Sequence, residues 1–277
     1  MGPRASVLVS SYNQPRFLDL VLRGYARQSL RDFELVVADD GSGPETRAVM
    51  QKHAHGYPVP LKHVWHPDVG FRKAMIMNRA ALASEGRWLV FSDGDCLPSR
   101  TFVEQHLGAS APNTYLVGGH IRMSKAYSEA LTPDAVERGE YETAGTLAER
   151  VGLWGLHAKS LCYIALRKRR KPKLYGMNFS LGRDVFFRLN GFDQNFVNSA
   201  KDDSDLRNRM QLAGVRARSL WHRARVFHLW HPPHKTRKIW KEGDDYYNRP
   251  DLRPEAPAGL RELAAAEGLP LDPSAAR

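Results

Sequence analysis

The chain has 277 residues and a formal net charge of +11, from 41 Lys and Arg against 30 Asp and Glu. That length can bury a substantial core, and no apolar run approaches the ~20 residues a membrane span requires. The basic balance favours anionic partners without choosing among nucleic acid, phosphorylated small molecules and an acidic membrane face. Cys96 and Cys162 lie far apart and match no zinc spacing, which reads as reduced thiols in a cytoplasmic protein. Met1-Gly2-Pro3-Arg4 runs straight into a strand pattern without the apolar core of a signal peptide, so secretion is not expected.

Ser6-Val7-Leu8-Val9-Ser10 is a short β-type run, and Phe17, Leu18, Val21, Leu22 and Tyr25 recur at helical spacing. Residues 33–38 form a second predicted strand, 45–53 a short helix and 61–65 a third strand. Residues 74–84 read as a helix carrying Met75, Ile76 and Leu82 beside the small Ala80, Ala81 and Ala83, and 88–92 as a fourth strand. This alternation predicts right-handed crossovers and a largely parallel sheet covered by helices. The second half is less regular. Helices are expected over 184–189 and 205–213, the latter closed by Gly214, with short strands at 215–217 and 224–227. After about Pro250 the chain turns rich in Pro, Ala and Glu and reads as peripheral, with one short helix over 258–267.

Three polar clusters fall just past predicted strand ends: Ser10-Ser11-Tyr12-Asn13, Asp39-Asp40-Gly41-Ser42 and Asp93-Gly94-Asp95. In open α/β sheets that edge is where ligands bind. Asp93 and Asp95 offer a carboxylate pair suited to a hard divalent cation that keeps positions open for substrate phosphates. Asp-Gly is also ordinary turn chemistry, so three clusters on one edge carry the reading rather than the triplet alone. Gly70-Phe71-Arg72-Lys73-Ala74 opens a helix, with Asn78 and Arg79 one turn on, and helix starts with basic side chains favour phosphate. Asp202-Asp203-Ser204-Asp205 opens another helix, where acids are ordinary starting residues. The run Arg167-Lys168-Arg169-Arg170-Lys171-Pro172-Lys173 reads first as an exposed mobile loop. Its functional alternative is contact with an anionic lipid surface or a phosphorylated acceptor. No recognition helix or zinc knuckle accompanies it, so nucleic acid is not expected as a partner. Trp230, Lys235, Arg237, Lys238, Trp240 and Lys241 form a second basic, aromatic segment suited to an interface.

Val9-Ser10-Ser11-Tyr12-Asn13, then Asp39-Asp40-Gly41-Ser42 at the end of its strand, then Phe91-Ser92-Asp93-Gly94-Asp95 resemble the start of the family 2 glycosyltransferases. Gly176-Met177-Asn178-Phe179-Ser180, Asn190-Gly191-Phe192-Asp193 and the stretch from Lys201 to Arg209 are similar to a galactosyltransferase-type C-terminal region. β-1,4-Galactosyltransferases and bacterial chondroitin-type polymerases share that region. The resemblance covers roughly residues 5–232 and implies an α/β GT-A fold, with a Rossmann-like, mostly parallel central sheet flanked by helices and an irregular acceptor-side second half. In that frame 1–100 is the nucleotide-sugar-binding half of a single domain, 101–240 the acceptor-binding and catalytic half, and 241–277 a peripheral C-terminal tail.

By the same resemblance Ser10, Tyr12 and Asp40 line a uridine pocket, where a carboxylate accepts from the uracil imide and an aromatic packs on the base. Phe71, Arg72, Lys73 and Asn78 are further nucleotide contacts. Asp95 binds the metal and Asp93 bridges to ribose or metal, with the division between them open. His228 matches the position of a third ligand, with His231 and His234 as neighbouring alternatives, and a mixed O/N set suits Mn²⁺ somewhat better than Mg²⁺. Asp203 matches the catalytic base. Asp202, an acid shorter than the family's Glu, would orient the acceptor, and Lys201 stands where Gly is common. The implied activity is metal-dependent, inverting transfer of a hexose or N-acetylhexosamine from a UDP-sugar to a hydroxyl of a glycan or glycolipid acceptor. Bacterial surface polysaccharide or lipopolysaccharide synthesis is the expected setting, in the cytoplasm with peripheral contact at the inner face of the plasma membrane. Two alternatives remain. One is a nucleotidyltransferase acting on a sugar phosphate, which the absence of a Gly-rich phosphate loop weakens. The other is a non-catalytic polyanion- or membrane-binding module.

Overall fold

The computed structural model describes residues 2–197, 201–232 and 245–271. His234, Lys235, Arg237, Lys238, Trp240 and Lys241 lie outside the described residues. The first half runs β1 (Ala5–Ser11), α1 (Pro15–Ala26), β2 (Phe33–Asp39), α2 (Pro44–Ala54), β3 (Leu61–Trp65), α3 (Lys73–Leu82) and β4 (Trp88–Asp93). The second adds β5 (Cys96–Pro98), α4 (Phe102–Gly108), β6 (Thr114–Arg122), α5 (Lys125–Ala130), α6 (Pro133–Arg138) and a 3₁₀ turn (Glu140–Thr143). It continues through α7 (Leu147–Ala165), β7 (Asn178–Gly182), α8 (Arg183–Arg188), α9 (Asp202–Leu212), β8 (Arg216–His228) and α10 (Leu260–Glu267). Among the described residues no helix is long and apolar enough to cross a membrane.

One sheet of eight strands, ordered β3-β2-β1-β4-β7-β6-β8-β5, organises the molecule. The strands β1 to β4 pair in parallel, as their alternation with helices predicts. β7 then pairs antiparallel with both β4 and β6, which makes the sheet mixed. Val7, Leu8, Val9, Leu35, Val36 and Val37 are fully buried because helices cover both faces. Each such side chain contributes about 1.5–3 kcal/mol relative to exposure. α1 starts at Pro15, whose missing N–H costs nothing in a first turn, and it buries Leu18, Val21, Leu22 and Tyr25. α3 presents Ala74, Ala80 and Ala81 to the core, and their small size lets it approach β1 and β2 closely.

Register decides the site. Ser11 pairs with Asp39 and Ser10 with Asp93, so the three polar strand ends stand side by side on one edge, as expected. Of residues 215–217 and 224–227, expected as two short strands, 216–217 and 224–227 are parts of one strand, β8. Its pairing with β6 jumps from Gly118–Leu220 to Gly119–Arg225. The intervening residues form an irregularity that bends the strand without ending it, and the His222-Arg223 pair within it hides the continuity. The segment before α10 is tied into the fold: Ala256 N donates to Leu189 O at 3.0 Å and Leu260 N to Asn190 O at 3.0 Å. α10 packs on α3.

Candidate active site

A cleft of about 810 Å³ opens over the C-terminal ends of β1, β2 and β4, and Ser10, Tyr12, Asp40, Asp93, Asp95 and Asp203 line it. On the strand side, Ser10 Oγ and Lys73 Nζ each donate to Asp93 Oδ1 at 2.6 Å. Burial opposes ionisation of Asp93, but the Lys73 ammonium and the Ser10 hydroxyl outweigh it and hold the carboxyl below its usual range. Lys73 is in turn disfavoured as a cation by burial, and the Asp93, Asp202 and Asp203 carboxylates more than reverse this. The ammonium therefore stays charged between the two sets of acids.

Asp40 is buried. Its oxygens accept from Arg72 N at 2.9 Å and lie 2.8 Å from His66 Nε2. Burial raises its pKa against both of these partners. The turn that presents Asp40 closes through Asp39 Oδ1, which accepts from Ser42 N at 2.8 Å. Gly41 sits at φ +93°, and a Cβ there would fall 2.5 Å from Asp68 Cα, so glycine alone fits the close approach of the loop after β3. Tyr12 donates to Asp68 Oδ2 at 2.9 Å, which fixes its half-exposed ring beside the cleft. Phe71 lies partly exposed at the same mouth.

The short strand β5 brings in the next group. Cys96 pairs with His228, and Leu229 N donates to Asp95 O at 2.8 Å, so the end of β8 lies against Asp95. Asp95 Oδ1 is 3.8 Å from His228 Nε2, and Asp95 Oδ2 is 3.4 Å from His231 Nε2. Ligand atoms of Asp95, Cys96 and His228 all lie within 4.8 Å of one another. Burial, Asp95 and Asp93 drive the Cys96 thiol well above its ordinary pKa, so it stays protonated and donates to Asp95 Oδ1 at 3.2 Å. Carboxylate and imidazole are then the fitting donors, an O/N set suited to a hard or borderline divalent cation. Asp93 stands outside this cluster with Oδ1 already engaged.

Across the cleft, α9 begins with Asp202 and Asp203. Asp203 Oδ2 accepts from Gly176 N at 2.9 Å. Burial raises the Asp203 pKa, and Lys73 and the Gly176 N–H reverse only part of that rise. A carboxyl so placed is a better proton acceptor near neutral pH than an ordinary aspartate. Asp202 is buried deeper, and burial with the adjacent Asp203 charge pushes it up from 3.8 to about 7. The folded chain therefore holds a proton that the unfolded chain releases between those values, and stability falls as pH rises through that window. We expect metal-free wild-type protein to lose stability relative to Asp202→Asn between about pH 4 and 7. Thermal melts of the two proteins that shift in parallel with pH would contradict this.

Two expected contacts are corrected. Asn78 is fully buried outside the cleft, with Nδ2 donating to Phe192 O at 2.8 Å and Oδ1 accepting from Phe192 N at 2.9 Å. It splices α3 to the Asn190–Asp193 corner because its position turns it inward, which helical spacing alone does not reveal. Arg72 serves the site through its backbone N–H on Asp40, while its guanidinium donates to Phe71 O and does not line the cleft. The basic run, expected as a mobile loop, is pinned to α9. Gln211 Oε1 accepts from Arg170 N at 2.9 Å, and Gln211 Nε2 donates to Lys171 O at 2.6 Å. Tyr175, Gly176, Arg207 and Tyr247 also line the cleft and were not foreseen. Gly176 opened a quoted motif, yet only tertiary structure shows that its N–H serves Asp203.

A mixed sheet covered by helices, with acids gathered at its strand ends, is the GT-A class of fold. The profile described as Glycosyl transferase family 2 matches residues 6–169. The chain belongs to that family. It is 30% identical over 226 residues to validoxylamine A glucosyltransferase of Streptomyces hygroscopicus subsp. jinggangensis, covering 77% of this chain and 52% of that protein. The chain thus spans about half the length of the curated relatives it matches. Its fold is similar to a mannosyltransferase of Pyrobaculum calidifontis in complex with GDP-Man and Mn²⁺, with a TM-score of 0.60 and 18% identity over 96% of this chain and 69% of that one. S. aureus TarS 1-349 in complex with UDP-GlcNAc gives a TM-score of 0.53 and 16% identity over 83% and 60%.

Proposed function

We propose that the protein is an inverting, divalent-cation-dependent glycosyltransferase that moves a hexose or N-acetylhexosamine from a UDP-sugar to a hydroxyl of a glycan or glycolipid. Surface polysaccharide or lipopolysaccharide synthesis in a bacterium is the proposed setting. The observation that carries this reading is Lys73, whose ammonium is held between the strand-end Asp93 and the helix-start acids Asp202 and Asp203. In this reading Tyr12, Asp40 and Phe71 hold the base, and Asp93 and Lys73 sit on the diphosphate side. Asp203 removes the proton of the acceptor hydroxyl as that oxygen attacks the anomeric carbon opposite the departing UDP. A single displacement inverts configuration and needs no covalent nucleophile. Lys73 opposes the negative charge that grows on the leaving group.

Asp95 and His228, with Asp93 or His231 completing the set, would hold a Mn²⁺ or Mg²⁺ ion, which supplies further neutralisation of the departing diphosphate. The neighbours of similar fold carry GDP-Man with Mn²⁺ in one case and UDP-GlcNAc in the other, so both bases belong in the donor test. Screened against nucleotide sugars, the protein should release UDP from a UDP-sugar, lose that turnover in EDTA and regain it with Mn²⁺. Release of GDP alone would overturn the donor assignment, undiminished turnover in stringent chelator the cation, and release of pyrophosphate the reaction.

Peripheral membrane contact belongs to the same proposal. Its support is α7, which leaves Leu147, Val151, Trp154 and Leu161 exposed at helical spacing just before the basic run. Sedimentation with phosphatidylglycerol vesicles but not phosphatidylcholine vesicles is the expected result, and equal recovery with both would count against it.

A further inference from the structure

A second cavity, of about 1280 Å³, lies beside the first, and Arg170, Lys171 and Tyr247 line both. Among the described residues, every charged side chain lining it belongs to an arginine or lysine. Of these, Arg249 is paired with Asp193 and Asp205. No ion pair to a carboxylate among the described residues neutralises Arg167, Arg169, Arg170, Lys171, Arg216 or Arg218. So many unneutralised cations in one concavity repel one another, and an anion is the natural complement. The cavity is also built rather than incidental. The Gln211 bridge holds the loop carrying Arg170 and Lys171 against α9. Arg170 packs over the Tyr247 ring at 5.1 Å and Lys171 over the Tyr163 ring at 5.7 Å, so flat apolar faces alternate with charge. Rings of that kind stack on sugar faces, while guanidinium groups bind phosphate or carboxylate in a forked geometry.

We propose that this groove binds an anionic stretch of the acceptor, a glycan bearing phosphate or carboxylate groups, whose reactive end enters the cleft at Asp203. The inference deepens the proposed transfer reaction and rests on it for the word acceptor. The groove's taste for anionic glycan can be measured separately. The direction follows from continuity: Arg170, Lys171 and Tyr247 face both spaces, and the groove joins the cleft on the α9 side, away from Tyr12 and Phe71.

The test is calorimetric titration, without donor, of the full chain with a galacturonic acid oligomer, inorganic polyphosphate and a neutral maltooligosaccharide. The Arg169→Glu/Arg216→Glu double variant changes two groove residues outside the cleft. Arg31→Glu/Arg87→Glu makes the same charge change at exposed positions elsewhere. Wild type and the surface control should bind at least one anionic oligomer at least about tenfold more tightly than the groove variant does, and more tightly than the neutral chain. The two anionic probes separate carboxylate from phosphate recognition. UDP binding and slow donor hydrolysis should be unchanged in the groove variant. Failure of UDP-sugar binding in wild type would strike the proposed reaction while leaving the oligomer comparison intact. Equal anionic-oligomer affinity in wild type and groove variant would overturn the groove. So would a loss of binding to single-stranded DNA or phosphatidylglycerol vesicles that exceeds the loss for both oligomers.

Discussion

Asp203→Asn should lower sugar transfer by about 10²–10⁴-fold while leaving UDP affinity unchanged. The amide is nearly isosteric and its oxygen can still accept from Gly176 N, the contact that Asp203 makes at 2.9 Å. What it lacks is the ability to take a proton. The adjacent acid supplies an internal contrast. Asp202 is pushed up to about 7, so its neutral form is well populated near physiological pH and an amide imitates that form. Asp202→Asn should therefore cost far less than Asp203→Asn, with acceptor KM moving more than kcat. Steady-state kinetics with saturating donor, alongside calorimetry with UDP, measures both. Normal turnover by a folded Asp203→Asn variant would falsify the assignment of the base.

The largest effect on stability is expected at Arg209. Its side chain is fully buried, with Nε donating to Asp205 Oδ2 at 2.6 Å and the terminal nitrogens to Leu189 O at 2.9 Å and Gly191 O at 2.8 Å. Arg249 approaches the other Asp205 oxygen at 3.0 Å, so the carboxylate is shared. Replacing Arg209 with Met preserves bulk but strands the Gly191 carbonyl, leaves the Leu189 carbonyl with only Ala256 N, and leaves a buried carboxylate with one partner. Breaking such a set by removing one member costs about 3–5 kcal/mol, which for a chain of this size lowers Tm by on the order of 10 °C. Denaturant unfolding and thermal melts should agree. Should Arg209→Met fail to accumulate in soluble form, Arg209→Lys, which keeps charge and loses the fork, should lie between it and wild type. A loss within 1 kcal/mol for the Met variant would show the network to be dispensable.

The parts legible in sequence share a physical cause. Strands β1, β2 and β4 are covered on both faces, so they appear as largely apolar runs, and each ends at residues that break strands. The edge bearing Ser10, Asp40 and Asp93 could thus be read directly. Asp203 and the Gly-Met-Asn-Phe-Ser motif were each marked only by resemblance, and their contact appears only in the folded chain. Contacts made by loops were not visible. His66 reaching Asp40, Asp68 holding Tyr12 and Gln211 clasping the basic run depend on tertiary approach rather than on any period. α7 went unanticipated for a different reason: of its nineteen residues only Leu153 and Ser160 are buried, so no core-facing stripe marks it. Asn78 shows the reverse failing, since a polar residue near a basic helix start looks like a ligand contact until its side chain proves to face inward.

Asp95 and His228 are far apart in the chain, and what joins them is three residues of β5 at the outer end of the sheet. Cys96, Leu97 and Pro98 are buried, and β8 is the strand that β5 pairs with. Any ligand that bridges the carboxylate and the imidazole is therefore also a clasp on that margin. By mass action its occupancy favours the closed sheet, as the closed sheet favours occupancy. Folding of this corner and occupancy of the Asp95–His228 pair are in that sense a single equilibrium viewed from two ends.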